Sequence, residues 1–144
     1  MYRRILVTID GGKLSERAID ASIALALQLG AAITGFVVGP LPPAYRHSSQ
    51  PDGDEDGDEL TTATSAREAL ANFESCAQTA GVPFEDYCHQ ASRVDRAIIE
   101  AAESHGCDMI VMVTHGRGPF GEFLYGSQTK AVLANSRLPL LILK

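Results

Sequence analysis

A glycine-bearing segment between an apolar strand and a helix is the part of the sequence best suited to chemistry. It spans residues 113–127, follows a strand predicted at 109–113 and precedes a helix predicted to begin at Ser127. Such a loop directs backbone N–H groups and the positive end of the helix dipole at one point, an arrangement that holds phosphate. Glycine suits this position because a Cβ would prevent positive φ and keep an anion at a distance. The segment therefore predicts a phosphate-binding loop.

Two known glycine patterns can be tested against this loop and set aside. Gly116-x-Gly118-x-x-Gly121 has the spacing of the dinucleotide fingerprint, but it lies late in the chain and no acidic residue follows about 20 positions on. Gly116 and Gly121 also have Walker-type spacing, yet Glu122 stands where the phosphate-binding lysine is required. We treat the first match as accidental and reject the second.

A third pattern consists of Gly116, nine further residues and Gly126-Ser127, with Thr114-His115 in front. This spacing resembles the ATP loop of the universal stress protein family, whose pattern is Gly-x2-Gly-x9-Gly-Ser/Thr. Ser127 has two uses under this interpretation, because its hydroxyl can cap the helix and can also donate to a phosphate oxygen. The loop thus favours a nucleotide phosphate as its ligand.

The resemblance extends over nearly the whole chain except residues 40–62. Residues 4–12 resemble the family's first strand and its Asp-Gly turn, residues 15–18 its first helix start, and residues 138–143 its last strand. The family resemblance implies a three-layer α/β/α fold whose parallel sheet has the strand order 3-2-1-4-5, Rossmann-like and similar to the adenine nucleotide alpha hydrolases.

Three positions depart from the family pattern. Val113 occupies the place of the first glycine, Thr8 stands where proline is frequent, and Gly12 replaces a common serine. The Val113 side chain could crowd a ribose, or it could point sideways and leave only its backbone to matter. The sequence leaves both alternatives open.

Composition predicts one domain over residues 1–144. The chain is 45% apolar and 21% charged, which is ordinary globular usage, and its length allows roughly 68–70% of the unfolded surface to be buried. Three cysteines without a Cys-x-x-Cys pair favour free thiols and a reducing compartment. The apolar run after Arg3 and Arg4 ends at Asp10, too early for a signal peptide or a membrane span. We therefore expect a cytoplasmic protein without a membrane segment.

The net charge of -6 comes from one place. Six of the eight residues from Asp52 to Glu59 are acidic, and the rest of the chain has 12 acidic and 12 basic residues. No basic stripe is present, so nucleic-acid binding has little support. Asp52-x-Asp54-x-Asp56-Gly57 copies the start of a calcium-binding loop, but its twelfth position is Ala63 rather than glutamate. We expect a mobile acidic loop at about 40–62, which serves as a gate over the ligand or is a tolerated insertion.

Apolar periodicity predicts alternating strands and helices, which make a three-layer domain around a parallel sheet because βαβ crossovers are right-handed. Pro83 places the third strand near an edge of the sheet, since proline cannot donate to a central ladder. Ser92-x-x-Asp95 resembles a capping box at the start of the third helix. The predicted strands are 4–9, 32–38, 82–88, 109–113 and 138–143, and the predicted helices are 15–29, 66–80, 92–105 and 127–134.

The implied strand order places a crevice beyond the carboxyl ends of strands one and four. Asp10 lies at one lip and His115-Gly116 at the other, which by itself suggests a polar ligand held at both ends. The family resemblance implies that this ligand is ATP, or ADP or AMP, with Mg²⁺ as an optional companion and no metal site of the protein's own. The site residues implied in this way are Thr8, Ile9, Asp10, Val38, Met112, Val113, His115, Gly116, Arg117, Gly126, Ser127 and Gln128.

Several of these residues also have a plain structural interpretation. Asp10 could merely cap a turn, and His115 could hydrogen-bond only within the loop. Arg117 is either a phosphate clamp or a surface charge. His89 and His105 have no partners at ligand spacing, so we expect them to be structural.

Catalysis has thinner support than binding. The sequence contains no Gly-x-Ser-x-Gly elbow and no Walker lysine, so we predict no catalytic residue and at most slow ATP hydrolysis. The first hypothesis is a nucleotide-binding stress-response or regulatory protein, and the alternatives are a nucleotide-free dimeric interaction protein and a slow ATPase. An apolar last strand predicts a homodimer under each hypothesis, because an uncovered edge invites pairing with a second copy. The predicted contact residues are Leu138, Leu140, Leu141, Ile142 and Leu143.

Overall fold

The computed structural model describes residues 2–9, 16–38, 56–89, 91, 93–113 and 121–143, and only the backbone of 38, 56–66 and 121–127. Strands and helices alternate along these residues. The strands are β1 (Arg4–Ile9), β2 (Ala32–Val38), β3 (Phe84–His89), β4 (Met109–Val113) and β5 (Leu140–Leu143). The helices are α1 (Glu16–Leu29), α2 (Asp56–Ala80), α3 (Val94–Ser104) and α4 (Gly121–Asn135).

The five strands form one parallel sheet in the order β3-β2-β1-β4-β5. The predicted strand order is therefore confirmed, and β3 lies at an edge as Pro83 indicates. β1 occupies the centre, where Thr8 is the register partner of Phe36 on β2 and of Met112 on β4. The predicted three-layer α/β/α class is confirmed as well.

Two apolar layers hold the helices against the sheet. We call the layer that includes Ile19 of α1 and Phe73 of α2 the α1/α2 layer, and the layer that includes Ile98 of α3 and Val132 of α4 the α3/α4 layer. Successive strand residues alternate between the layers, because neighbouring side chains of a strand point to opposite faces. Both faces are covered, which is why the central strands are continuous apolar runs in the sequence.

Gly35 makes room for close packing between β2 and α2. A Cβ at this position would lie 2.8 Å from Cζ of Phe84 and 3.1 Å from Cδ2 of Leu70. Phe84 in turn meets Phe73 edge to face, with the ring centroids 5.0 Å apart. The missing side chain at Gly35 therefore lets Phe84 and Leu70 close over the strand.

Helices α1 and α2 end where glycine predicts that they should. Gly30 has φ of 65°, its N–H donates to the carbonyl of Leu27, and the N–H of Ala31 donates to the carbonyl of Ala26 at 2.9 Å. This pair of bonds is the Schellman motif, which satisfies the last carbonyls of a helix. The same pair of bonds closes α2 at Gly81, where φ is 79°.

Two helix starts differ from the sequence-based expectation. α2 begins at Asp56, so the predicted end of the acidic loop near residue 62 is wrong. Carboxylates in the first turn interact favourably with the helix dipole, so Asp56 and its acidic neighbours favour a helix start as well as solvation. The capping-box prediction is also wrong, because the N-cap of α3 is Arg93 and makes no side-chain cap hydrogen bond. Ser92 lies outside the described residues.

The proline-led strands begin two residues later than predicted, at Phe84 and Leu140. Proline has no N–H for the ladder, but its carbonyl remains available as an acceptor. The carbonyl of Pro83 accepts from the N–H of Ile33 at 2.8 Å, and that of Pro139 accepts from the N–H of Ile110 at 2.9 Å. Each proline therefore joins the neighbouring strand through one hydrogen bond before the ladder starts.

The described parts of the chain contain neither a helix suited to span a membrane nor a cluster of metal-ligating side chains. None of the helices there is both long and apolar enough to cross a membrane. Nor do those parts bring three His, Cys, Asp or Glu side chains together in a way that could hold a metal ion. Cys76, Cys88 and Cys107 are free thiols.

Candidate functional site

The carboxyl ends of β1 and β4 lie side by side at the centre of the sheet. Thr8 pairs with Met112, and Ile9 and Val113 follow as the last residues of their strands. The next helix after β1 packs on one face of the sheet, whereas α4, which follows β4, contributes Val132 to the other. The chain thus leaves neighbouring strands toward opposite faces. This is a topological switch point, where open α/β sheets bind ligands.

Thr8 and Met112 form the side of this junction that faces the α3/α4 layer. Both are nearly buried, and the Thr8 hydroxyl donates to the carbonyl of Val111 on the neighbouring strand at 3.4 Å. The hydroxyl therefore has a partner within the sheet. At Thr8 and Met112, the groups available to a ligand are therefore mainly those of the backbone.

Ile9 and Val113 occupy the opposite face. Both belong to the α1/α2 layer, and the Val113 residue is only 4% exposed. Leu143, the register partner of Val113 on β5, packs against the same layer. The side chain that stands where the family has its first glycine is therefore packed sideways into the core, which is one of the two alternatives left open by the sequence.

The remaining strand-end residue, Val38, closes β2 on the other side of β1. Its backbone pairs with His89, the last residue of β3. The carboxyl ends of β2, β1 and β4 therefore lie along one edge of the sheet, in the arrangement predicted for the base and sugar of a nucleotide. Asp10, His115, Gly116 and Arg117 lie outside the described residues.

The predicted start of α4 at Ser127 is wrong. The helix begins at Gly121, so Gly126 and Ser127 lie in its second turn. Only the first four N–H groups of an α-helix lack an intrahelical partner, which means that the free amides are those that begin at Gly121. The helix was predicted to start too late because glycine and serine are typical of helix ends. Glu122 and Leu124, which precede this pair, are good helix formers and extend the helix back to Gly121.

Further along α4, Gln128 is half-buried and Thr129 carries a buried hydroxyl. This hydroxyl has no hydrogen-bond partner among the residues that the structure describes. Thr129 precedes buried Val132 by three positions, so both lie on the helix face that is turned toward the α3/α4 layer. The sequence does not single out Thr129, because a threonine within a helical pattern gives no local sign that its hydroxyl is buried.

A row of aromatic rings lies on the α3/α4 face of β2 and β3. Phe36 stacks on Tyr87 with the ring centroids 5.5 Å apart, and Tyr87 stacks on His89 at 6.0 Å. His105, the C-cap of α3, contacts Tyr87 from the helix side at 4.6 Å. The sequence suggests a structural role for both histidines, and only the pairing of strands shows that they share one aromatic neighbour.

The opposite end of the sheet, which we call the amino edge, is joined by polar side chains. Asp108 accepts from the N–H of Arg3 at 2.9 Å through Oδ2 and from the N–H of Arg4 at 3.1 Å through Oδ1. Nη1 of Arg4 donates to Glu85 at 2.6 Å and to the Thr34 hydroxyl at 3.3 Å. These contacts connect the starts of four neighbouring strands, β3, β2, β1 and β4.

Four ionisable groups among the described residues have shifted pKa values for identifiable reasons. Burial, with a smaller contribution from the Asp86 carboxylate, raises the pKa of the Cys88 thiol. Burial alone would raise the pKa of the Asp108 carboxyl, but the N–H groups of Arg3 and Arg4 outweigh it and hold that pKa below its usual value. The hydrogen bond from Arg93, with Nη2 3.0 Å from Oδ2, holds the pKa of Asp95 below its usual value. Burial raises the pKa of the Cys107 thiol. None of these groups lies at the carboxyl ends of β1 and β4.

Solved structures show the same fold. A protein of the universal stress protein family from Burkholderia pseudomallei matches with a TM-score of 0.70 at 23% identity, over 99% of this chain and 96% of that one. A universal stress protein in complex with cAMP matches with a TM-score of 0.65 at 21% identity, over 99% of this chain and 96% of that one. The universal stress protein of Archaeoglobus fulgidus in complex with dAMP matches with a TM-score of 0.62 at 22% identity, over 99% and 98%.

Sequence comparison leads to the same group of proteins. The model of the universal stress protein family matches residues 1–144. A universal stress protein of Thermus aquaticus, from the 3′ region of a QAH/OAS sulfhydrylase, is 32% identical over 144 residues, which is 100% of both chains. Taken with the strand order and the position of the switch point, these matches show that the chain belongs to the universal stress protein family.

Proposed function

We propose that this protein binds an adenine nucleotide at the carboxyl ends of β1 and β4 and acts as a homodimeric stress-response or regulatory protein. The observation that carries the proposal is the switch point, where Thr8 and Met112 are register partners and the chain leaves toward opposite faces. The glycine segment at 113–127 follows one of these two strands. Two structural relatives are complexes with cAMP and dAMP, which supports an adenine nucleotide as the class of ligand.

In this proposal the two strand ends and Val38 border the base and sugar, while the segment after β4 surrounds the phosphates. Val113 does not obstruct the site through its side chain, since that side chain lies in the α1/α2 layer. The residues assigned to the nucleotide are Thr8, Ile9, Asp10, Val38, Met112, Val113, His115, Gly116, Arg117, Gly126, Ser127 and Gln128.

The start of α4 at Gly121 changes how the phosphates are held. Free helix amides and the positive end of the dipole favour an anion at Gly121 and the residues just after it. Gly126 then serves by letting another group approach the helix closely, and the Ser127 hydroxyl acts as a side-chain donor rather than as a helix cap. ATP, ADP and AMP all present a phosphate to such a site, and Mg²⁺ would accompany ATP.

Small molecules released by denaturing the purified protein test the proposal most directly. Mass spectrometry should find an adenine nucleotide, and calorimetry on the stripped protein should give saturable binding of ATP, ADP or AMP. Gly116→Asp should weaken binding by about 100-fold or more, because a carboxylate beside a phosphate is strongly unfavourable. Gly53→Asp, in the acidic segment, is the matched control and should bind as the unaltered protein does. No detectable association at millimolar nucleotide would overturn the assignment.

A specific observation favours dimerisation, which is common to the proposed function and to the second candidate, a nucleotide-free interaction protein. β5 is an edge strand, and Leu141 and Ile142 on it are 36% and 37% exposed. An apolar edge strand left uncovered is an aggregation risk, so we propose that a second copy covers it. Leu138 and Leu140 pack toward the α3/α4 layer, so the exposed pair carries the contact.

Sedimentation of the unaltered protein at tens of micromolar should give the mass of a dimer. Ile142→Lys should give a monomer, because it places a charge in the paired edge. The control is Leu133→Lys on α4, where the leucine is 66% exposed, and this variant should remain dimeric. A monomeric unaltered protein would overturn the dimer, whereas a dimer without nucleotide affinity would favour the second candidate.

A further inference from the structure

The aromatic row on β2 and β3 runs toward the carboxyl edge of the sheet. Tyr87 and His89 are two residues apart on one strand, and a strand rises about 6.6 Å over that interval. Their ring centroids are 6.0 Å apart and their planes differ by only 8°. The rings therefore follow one another along the strand direction, and His89 is the last of them.

The row is held in place from two sides. Phe36, the buried register partner of Tyr87 on β2, lies beside it and stacks on it with an interplanar angle of 15°. His105 contacts the same tyrosine from the end of α3. Since Tyr87 is fixed by both neighbours, the orientation of the His89 ring is largely determined before any ligand arrives.

His89 also lies next to the proposed nucleotide site. It is the register partner of Val38, which borders the base in the proposed function. Neighbouring strands are about 4.8 Å apart, so His89 is about one strand spacing from Val38 and about two from β1. His89 is exposed and lies at the carboxyl edge of the sheet, where β2 and β1 also end.

We propose that the exposed ring of His89 is a stacking surface for the purine base of the bound nucleotide, and this inference rests on the proposed function. In this proposal the base follows His89 as His89 follows Tyr87 along β3. Stacking accepts any aromatic base by its face, so His89 adds affinity for the base while the amides after β4 hold the phosphate. A residue considered structural in the sequence thereby becomes a binding residue.

Calorimetric titrations with AMP and with ribose 5-phosphate distinguish the base from the rest of the ligand. His89→Ala should weaken AMP binding by about tenfold and leave ribose 5-phosphate binding unchanged. His89→Phe keeps a ring and should restore AMP binding. Cys88→Ala is the matched control, because Cys88 is an exposed neighbour whose side chain lies on the opposite face of the strand. The His89 ring protons should also shift upfield when AMP is added to the unaltered protein.

The outcomes separate this inference from the function on which it rests. Unchanged AMP affinity in His89→Ala would overturn the stacking role while the nucleotide-binding function stands. Equal losses for AMP and ribose 5-phosphate would overturn it too, since the loss would then not concern the base. If the unaltered protein binds neither ligand, the proposed function fails and the inference fails with it.

Discussion

The two ends of the same parallel strands are built in different ways. At the amino edge, Asp108, Arg4 and Glu85 bridge neighbouring strands with charged hydrogen bonds. At the carboxyl edge, the described side chains that end β1 and β4 are Ile9 and Val113, both buried in an apolar layer. The amino edge thus satisfies its own polar groups, whereas the carboxyl edge presents an apolar platform from which the following segments depart.

The contrast between the two edges shows how one sheet can combine fixed strand alignment with a binding site. Polar side chains that already bond to one another are not available to a ligand, but they fix the alignment of the strands. The opposite ends of those strands then keep fixed positions, with the apolar side chains of Ile9 and Val113 as the last described residues of β1 and β4. In the proposed function, Asp10, the next residue after β1, contributes to the ligand site. Substitutions at the two edges should accordingly affect different properties.

Substitution of Val113 should reduce stability more than the other changes described below. It tests whether the Val113 side chain belongs to the apolar core or to the nucleotide site. Val113→Ala should lower the free energy of unfolding by about 2 kcal/mol, because it removes two buried methyl groups. The dissociation constant for AMP should not change. Urea denaturation and calorimetry measure the two quantities, and Val132→Ala in the opposite layer is the control for a similar loss of packing. AMP binding that tightens markedly in Val113→Ala would show that the valine crowds the nucleotide.

The next effect concerns the amino edge. Asp108→Ala should lower the free energy of unfolding by about 1.5 kcal/mol, because two strand N–H groups lose a charged acceptor. Asp108→Asn keeps one acceptor oxygen and should lose less. Nucleotide affinity should remain that of the unaltered protein in both variants, and a loss of AMP binding would contradict the division of roles between the edges.

A smaller effect appears in acid. The folded-state pKa of Asp108 is lowered, so its stabilising contribution is complete above the ordinary aspartate pKa of about 3.9 and disappears as the pH falls through the lower folded value. The stability difference between the unaltered protein and Asp108→Asn should therefore shrink below about pH 4. Asp95, whose pKa is lowered in the same direction, contributes equally to both proteins. A difference that stays constant down to pH 2 would be inconsistent with this account.

The smallest effect belongs to the exposed ion pair. Glu85→Gln should change the free energy of unfolding by about 0.5 kcal/mol at low salt, and the difference should vanish in concentrated salt. Asp86→Asn on the same strand is the control with one charge fewer and no ion pair among the described residues. Thermal unfolding at two ionic strengths measures both variants. A salt-independent loss above about 1 kcal/mol would mean that Glu85 does more than pair with Arg4.

Strands and helix ends that depend on residues close together in the chain were largely predictable from the sequence. The strands at 4–9, 32–38 and 109–113 have the predicted bounds, and α1 and α2 end at the predicted glycines. A continuous β-branched run followed by a turn signal has few competing conformations. Helix starts were less predictable, since Asp56 and Gly121 carry features that suit both a loop and the first turn of a helix.

The alternation of strands and helices and the apolar runs of the central strands can be predicted from local sequence, because they follow from backbone sterics and periodicity. Three features become visible only in the folded chain: Val113 packs sideways, the Thr129 hydroxyl is buried, and Tyr87 stacks on both Phe36 and His89. Each of these depends on which strand lies beside which and on which helix covers them. Such contacts join residues far apart in the chain, and no local pattern encodes the distance between them.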